Sequence, residues 1–96
     1  MTNHLKPKGL PSGLAPYKRT PVFSHTSVPK GLLKDHATKA GVWGVIHVEE
    51  GALEYVVPGV RKHQHLNSNA VGIVRPEELH HVKPDGNCRF YVEFWR

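Results

Sequence analysis

The chain has 96 residues, of which 39% are hydrophobic and 22% are charged, a composition typical of one small soluble domain. A domain of this length buries only about 60–65% of the surface that its unfolded chain exposes, so its core is modest. No apolar run approaches the roughly 18 residues of a membrane-spanning helix, so we expect no membrane partner. The N-terminus lacks the apolar segment of a secretory signal, and Cys88, the single cysteine, excludes an internal disulfide. These features predict a cytoplasmic protein.

The formal net charge of +5 is concentrated in the first third of the chain. Residues 1–34 contain six basic side chains and no acidic one, whereas residues 35–96 contain seven basic and eight acidic side chains, a net charge of −1. A basic segment of this kind can contact nucleic acid, but the aromatic residues that would stack on bases do not alternate with the basic ones. We interpret it as a solvated tail and expect no nucleic-acid partner.

Proline and glycine recur through the first 21 residues, where they prevent a regular helix. We therefore predict an extended basic arm over residues 1–19, with residues 1–12 outside the core, and one folded domain over residues 20–96. The first part of that domain is predicted to contain short strands at residues 21–23, 26–28 and 31–36. A helix is the weaker option for the last of these.

The strand signals are stronger after residue 42. Residues 42–48 are rich in β-branched side chains, residues 49–51 have the character of a hairpin turn, and residues 52–57 are predicted to return as the partner strand. Further strands are predicted at 70–74, 79–82 and 88–95, with a turn at 83–87, while 60–66 is either a strand edge or a loop. The last strand alternates cleanly, with Phe90, Val92 and Phe94 on one face and Tyr91, Glu93 and Trp95 on the other. This pattern predicts an all-β sandwich or small barrel.

Eight histidines are present, and the first of interest is His36. Neutral imidazole binds zinc, iron, copper or nickel. In a strand, Thr38 would share a face with His36, and a protonated Lys39 could hold an anion. The alternative for His36 is a surface histidine at the end of a strand.

The remaining histidines leave more alternatives open. His80 and His81 are neighbours, so only one of them can face a given interior if the segment is a strand. His63 and His65 have the spacing of a two-ligand metal motif, but their polar neighbours favour a solvated loop. His47 lies in an apolar strand and is expected to be outward-facing or hydrogen-bonded. Cys88 is interpreted as ordinary packing, since a catalytic thiol needs a nearby base.

Five blocks of sequence resemble a known family. They are residues 21–23 (Pro-Val-Phe), residues 36–44 (His-Ala-Thr-Lys-Ala-Gly-Val-Trp-Gly), residues 50–55, residues 76–80 followed by Val82, and the closing residues 90–95 (Phe-Tyr-Val-Glu-Phe-Trp). Together they resemble the small cupin-type domains of the YeaR family, which also occur at the N-terminus of some tellurite-resistance TehB proteins. The resemblance extends over about residues 20–96. It implies a double-stranded β-helix, that is, a cupin or jelly-roll barrel.

The resemblance also implies a site. In metal-binding cupins a first motif supplies two histidines and a glutamate, and a second motif supplies one histidine. His36 and His80 correspond to a histidine of each motif, while Thr38 takes the place of the other first-motif histidine and Gly44 lies near the glutamate position. His36 and His80 are thereby implied as ligands of a divalent metal such as zinc, iron or nickel.

The resemblance further implies what the site would do. Thr38, Lys39 and Trp43 are expected to contact a small-molecule or oxyanion ligand. The implied role is a binding protein linked to tellurite resistance or to a nitrate or stress response, and a metal-dependent enzyme acting on a small molecule is the alternative. No catalytic residue is identified. Because small cupins commonly pair, a homodimer is expected.

Overall fold

The computed structural model describes residues 6–96, and the regular structure in this part of the chain is almost entirely β. The strands are β1 Pro16–Arg19, β2 Phe23–Ser24, β3 Trp43–Glu50, β4 Leu53–Val57, β5 Lys62–Leu66, β6 Gly72–Val74, β7 His81–Pro84 and β8 Arg89–Trp95. Two short 3₁₀ helices occupy Lys30–Leu33 and Pro58–Val60, and the described residues contain no α-helix. The prediction of a small all-β single domain is confirmed. No helix in the described part of the chain has the length and apolar character needed to cross a bilayer.

The strands form two antiparallel sheets. The larger sheet has the order β1-β8-β3-β6, with β2 paired to β8 beyond the end of β1, and the smaller has the order β5-β4-β7. β8 and β3 are the inner strands of the larger sheet, and β8 has the most partners because it pairs with β1, β2 and β3. Its register against β3 sets Gly44 opposite Phe94 and Ile46 opposite Val92.

The main core lies between the two sheets. Its buried residues come from the larger sheet at Ile46, Val48, Val74 and Phe90, and from the smaller sheet at Leu53, Tyr55, Val57, Leu66 and Val82. A second, smaller cluster contains Leu10, Val45 and Trp95 and packs on the opposite face of the larger sheet. The period-two geometry of β3 and β8 explains why Val45 and Ile46 belong to different clusters.

The hairpin predicted across residues 49–51 is wrong. β3 pairs with β6 and β8, whereas β4 pairs with β5 and β7, so the turn carries the chain from one sheet to the other. Gly51 makes this crossing with φ of +70°, and a Cβ there would lie 2.8 Å from the backbone of Asn87. Alternation identifies a strand from its own residues, but it does not say which strand lies alongside.

Three further segments differ from their predictions. Residues 31–36, predicted as a strand, begin instead in the 3₁₀ helix Lys30–Leu33, from which Leu32 packs on the main core. Residues 26–28 are a turn, closed where the Val28 amide donates to the Ser24 carbonyl at 3.0 Å. The solvated loop expected around His63 and His65 is strand β5, an exposed edge that keeps its backbone pairing with β4.

The arm is partly built into the domain. Residues 1–5 of the predicted arm lie outside the described residues, but Pro16–Arg19 pairs with β8, so the sheet begins before residue 20. Leu10 is only 9% exposed, and the expectation that residues up to 12 lie outside the core is therefore wrong at this position. A single leucine among prolines and glycines gives no periodic signal, which is why the pattern missed it.

Candidate functional site

A cavity of about 390 Å³ opens between the inner face of the larger sheet and the segments that lead into β3 and β7. The larger sheet contributes an apolar wall of Gly44, Ile46, Val74, Phe90, Val92 and Phe94. The other side is lined by His36, Thr38, His80 and Val82. The predicted facing of Phe90, Val92 and Phe94 is confirmed, and this row of side chains runs from the buried core toward the open end.

The two predicted sequence motifs meet at this cavity through their backbones. His36 and His80 form an isolated antiparallel bridge, in which the amide of each donates to the carbonyl of the other at 3.0 and 2.9 Å. The Glu77 amide adds a bond to the Thr38 carbonyl at 3.1 Å. The bridge holds the imidazoles side by side, with ring centroids 4.2 Å apart and planes inclined at 55°.

The backbone also fixes how each ring presents its nitrogens. Nδ1 of His36 lies 2.9 Å from the Lys34 carbonyl oxygen, and Nδ1 of His80 lies 2.9 Å from the Glu78 carbonyl oxygen. A carbonyl oxygen only accepts, so both Nδ1 atoms carry the proton, and Nε2 of each neutral ring is left with a free lone pair. Neither Nε2 has a hydrogen-bond partner within residues 6–96. The pair therefore offers two acceptors in the neutral state.

His80 is the more deeply placed of the two, with 4% of its surface exposed. Burial lowers the pKa of His80 below its ordinary 6.5, and the nearby His36 acts in the same direction. The Glu78 carbonyl and the Glu78 and Asp35 carboxylates oppose this shift without cancelling it. His80 is consequently neutral at pH 7, because desolvation penalises the imidazolium.

The open end of the cavity is basic. Lys18, Lys39 and Arg96 are exposed and line it, and the Arg96 guanidinium lies 4.0 Å from the centre of the Tyr17 ring. In the part of the chain that the structure describes, no aspartate or glutamate side chain lines the cavity and none of these three cationic side chains is in an ion pair. The cavity thus combines an apolar wall, two imidazole Nε2 atoms and a mouth lined by basic side chains.

The other predicted site residues divide into two groups. Thr38 and Lys39 line the cavity, and the Thr38 hydroxyl donates to the Val42 carbonyl at 2.7 Å. Trp43, predicted to contact the ligand, is not among the lining residues and packs instead with Leu10, Val45 and Trp95. Gly44 and Ile46 face the cavity, and alternation along β3 sends Trp43 to the other face.

Sequence reasoning missed Tyr17, Lys18 and Arg96. Arg96 continues the alternation of Phe90, Val92 and Phe94, so the period of β8 was a signal that could have placed it at the cavity. Lys18 carried no such signal, because its position depends on the pairing of β1 with β8 across more than 70 residues of sequence. Basic residues in an arm are interpreted as solvated unless the tertiary pairing is known.

Four other histidines, His47, His63, His65 and His81, contact carboxylates outside the cavity. His81 turns away from His80, and its Nδ1 lies 2.7 Å from an Asp35 carboxylate oxygen. His63 and His65 both contact Glu54, and His47 contacts Glu93 at 3.2 Å and stacks on Tyr91. No cluster of three or more histidine, cysteine or acidic side chains suited to a metal is found among residues 6–96.

Cys88 is buried and does not take part in the site. Burial, with a smaller contribution from Asp85, raises the pKa of its thiol to about 11. The thiolate, which is the nucleophilic form, is therefore scarce at neutral pH. The interpretation of Cys88 as a packing residue fits this environment.

The comparison with family models gives a match to the TehB-like domain over residues 18–92, most of the sequence. The chain belongs to the TehB-like domain family. No curated protein matches the sequence. The family match agrees with the TehB part of the resemblance and leaves the YeaR and cupin parts as predictions.

Two solved structures are similar to this TehB-like domain. TehB from Haemophilus influenzae matches with a TM-score of 0.77 and 23% identity, covering 85% of this chain and 31% of that protein. A protein from E. coli strain K12 matches with a TM-score of 0.83 and 18% identity, covering 91% of this chain and 94% of the other. At these identities the likeness shows a shared fold. The chain spans about a third of the TehB chain, so TehB as a whole contains much more than this domain.

Proposed function

We propose that this TehB-like domain is a binding protein whose cavity holds a small anion. The observation that carries the proposal is the charge of the lining: three exposed cationic side chains stand at the mouth of a 390 Å³ cavity that, within residues 6–96, is lined by no aspartate or glutamate side chain. A cavity with an apolar wall and a few convergent polar groups is the usual form of a small-molecule site. Unpaired cations at its mouth attract anions and repel cations.

An anion-binding panel tests this proposal. Nitrate, phosphate, tellurite, acetate and larger organic carboxylates are titrated into the protein by calorimetry at low salt. We expect at least one class to bind and the binding to weaken as ionic strength rises, since exposed charges are screened.

Matched variants locate the binding. Lys39→Gln and Arg96→Gln should each weaken the binding, by about twofold to fivefold for an exposed charge. Arg89→Gln is the control, because Arg89 is also exposed but does not line the cavity. The proposal fails if no anion binds, or if the Arg89 variant weakens binding as much as the two cavity variants do.

A divalent metal on His36 and His80 is the second candidate. In each ring the Nδ1–H group donates a hydrogen bond to a backbone carbonyl and Nε2 has no protein partner, which is the arrangement that orients metal-binding histidines. Two imidazoles on one tetrahedral zinc would have ring centres roughly 5 Å apart, so the present 4.2 Å would have to widen. With two protein ligands, the metal would act as a Lewis acid with open positions for the anion. This is also the arrangement on which a metal-dependent enzyme would rely.

Elemental analysis of tag-free protein tests the metal. If the two rings bind it, His36→Ala and His80→Ala should each remove the metal, while His63→Ala, a change on the exposed edge strand, should retain it. A metal-free wild-type protein that still binds anions would leave the first candidate and eliminate the second.

The other properties that the resemblance implies are also proposals. Two facing sheets around a shared core and cavity support the closure of a cupin, or double-stranded β-helix. A homodimer and a link to tellurite or nitrate stress rest on the resemblance alone, whereas the cytoplasmic location rests on the composition and the single cysteine.

A further inference from the structure

We propose that the ligand of this cavity is a small organic carboxylate with an apolar body and a hydrogen-bond donor, such as a hydroxyl, at the end away from the carboxylate. The inference rests on the proposed anion-binding function and names the chemical class of the anion. It is carried by three features of the cavity that occur at different depths.

The first feature is the apolar wall. Val92 and Phe94 are half-buried and form the accessible part of this wall, while the almost fully buried Ile46 and Phe90 close its inner end. A bare inorganic oxyanion is strongly hydrated and gains nothing from such a surface, because a charge loses its water there without compensation. An apolar group of the ligand gains free energy in proportion to the area that it buries.

The second feature is the position of the charges. Lys18, Lys39 and Arg96 are exposed, whereas His80 is buried, so the cations mark the outer end of the cavity and the histidine pair an inner end. The anionic group of the ligand is best placed at the mouth, where it meets the cations and remains partly solvated. The body of the ligand then points inward.

The third feature is the acceptor character of the histidine pair. The Nδ1–H group of His36 donates to the Lys34 carbonyl, and that of His80 donates to the Glu78 carbonyl. When a ring is neutral, its Nε2 therefore offers only a lone pair to a ligand. A second carboxylate beside these lone pairs would be repelled. A hydroxyl can donate to either Nε2, whereas an apolar group placed there would displace water from these accessible acceptors and leave them unpaired, which is costly in a partly desolvated site.

A matched series of ligands tests the proposal on the wild-type protein. 4-Hydroxyphenylacetate has all three elements, phenylacetate lacks the donor, acetate lacks the body, and 4-methylphenol lacks the anion. Relative to the first, we expect phenylacetate to bind about threefold to tenfold more weakly, the effect of one neutral hydrogen bond. Acetate should bind at least about tenfold more weakly, because it buries no ring.

The variants separate the two ends. Arg96→Gln should weaken both aromatic carboxylates and leave 4-methylphenol unchanged. The double variant His36→Asn, His80→Asn replaces each ring by an amide that can still donate to its carbonyl but has no group at the Nε2 position. It should reduce the preference for 4-hydroxyphenylacetate over phenylacetate to near onefold, provided that its circular dichroism spectrum matches the wild type.

The outcomes distinguish this inference from the function on which it rests. If nitrate, tellurite or acetate binds as tightly as the aromatic carboxylates, the inference is overturned while the anion-binding function stands. If phenylacetate matches 4-hydroxyphenylacetate in the wild-type protein, the donor part is overturned. If no anion of either panel binds, both proposals fall together.

Discussion

His80 shows how the environment of one side chain sets the chemistry of the site. Its backbone amide and carbonyl pair with those of His36, and its Nδ1–H group donates to the Glu78 carbonyl. Its ring makes a T-shaped contact with the Tyr55 ring, with the centroids 5.7 Å apart. These contacts fix the orientation of the ring, and only 4% of the surface of His80 is exposed. The residue is thus held in one tautomer before any ligand arrives.

The pH dependence of stability should report this burial. In the unfolded chain an imidazole takes up its proton near pH 6.5, whereas the lowered pKa of folded His80 delays protonation to a more acidic pH. Between these two values the unfolded state binds more protons, so the free energy of unfolding decreases as the pH falls below about 6.5. His80→Asn removes this titration while keeping a donor for the Glu78 carbonyl. Urea unfolding at pH 7.5, 6.5 and 5.5 should give a steeper acid loss in the wild type than in the variant, and parallel losses would contradict the assignment.

At the scale of elements, the arm before β1 contributes unexpectedly to the stability of the larger sheet. Leu10 covers the outer cluster beside Val45 and Trp95, and the Ala15 and Arg96 backbones exchange hydrogen bonds at 3.2 and 3.1 Å. The Val92 amide donates to the Thr20 hydroxyl at 3.0 Å where β1 and β2 leave a gap along β8. The arm therefore completes one edge of the larger sheet.

Truncating Leu10 should measure this contribution. Leu10→Ala is expected to lower the free energy of unfolding by about 2 kcal/mol, at the low end for a buried leucine because an arm can relax into the space. Leu79→Ala makes the same chemical change at a residue that is 56% exposed and should stay within about 0.5 kcal/mol of the wild type. Equal effects of the two substitutions, measured by urea unfolding, would show that the arm does not pack as described.

The individual strands were largely predictable, and their partners were not. The alternation of residues 90–95 predicts β8. In β4, the alternating apolar residues Leu53, Tyr55 and Val57 are the ones that the structure buries. The segment before His36 became a 3₁₀ helix because tertiary packing of Leu32 outweighed weak strand propensity. The crossing at Gly51 left no local signal, since a glycine turn can serve either a hairpin or a change of sheet.

The site was predictable to a similar extent. The resemblance brought His36 and His80 together, whereas alternation alone left His80 and His81 equivalent. The structure resolves that choice, because His81 pairs with Asp35 and His80 faces the cavity. In the basic mouth, Arg96 could have been placed by the alternation along β8, whereas Lys18 could not, because its position depends on the pairing of β1 with β8.

At the scale of the whole molecule, the two sheets share one core and should unfold together. Trp43 and Trp95 both belong to the outer cluster, while the backbone signal comes from both sheets. In urea, tryptophan fluorescence and far-ultraviolet circular dichroism should therefore give the same midpoint, as expected for a two-state domain. A fluorescence transition at clearly lower urea would mean that the outer cluster and its arm detach before the sheets separate.

The central place of β8 has a consequence for how the domain is made. β8 pairs with β1, β2 and β3, although all three leave the ribosome well before it does. During synthesis the inner residues of β3 have only the short β6 beside them, and the apolar wall of the cavity lacks Phe90, Val92 and Phe94. The complete sheet, the cavity and its basic mouth can therefore form only after Trp95 and Arg96 have emerged from the ribosome.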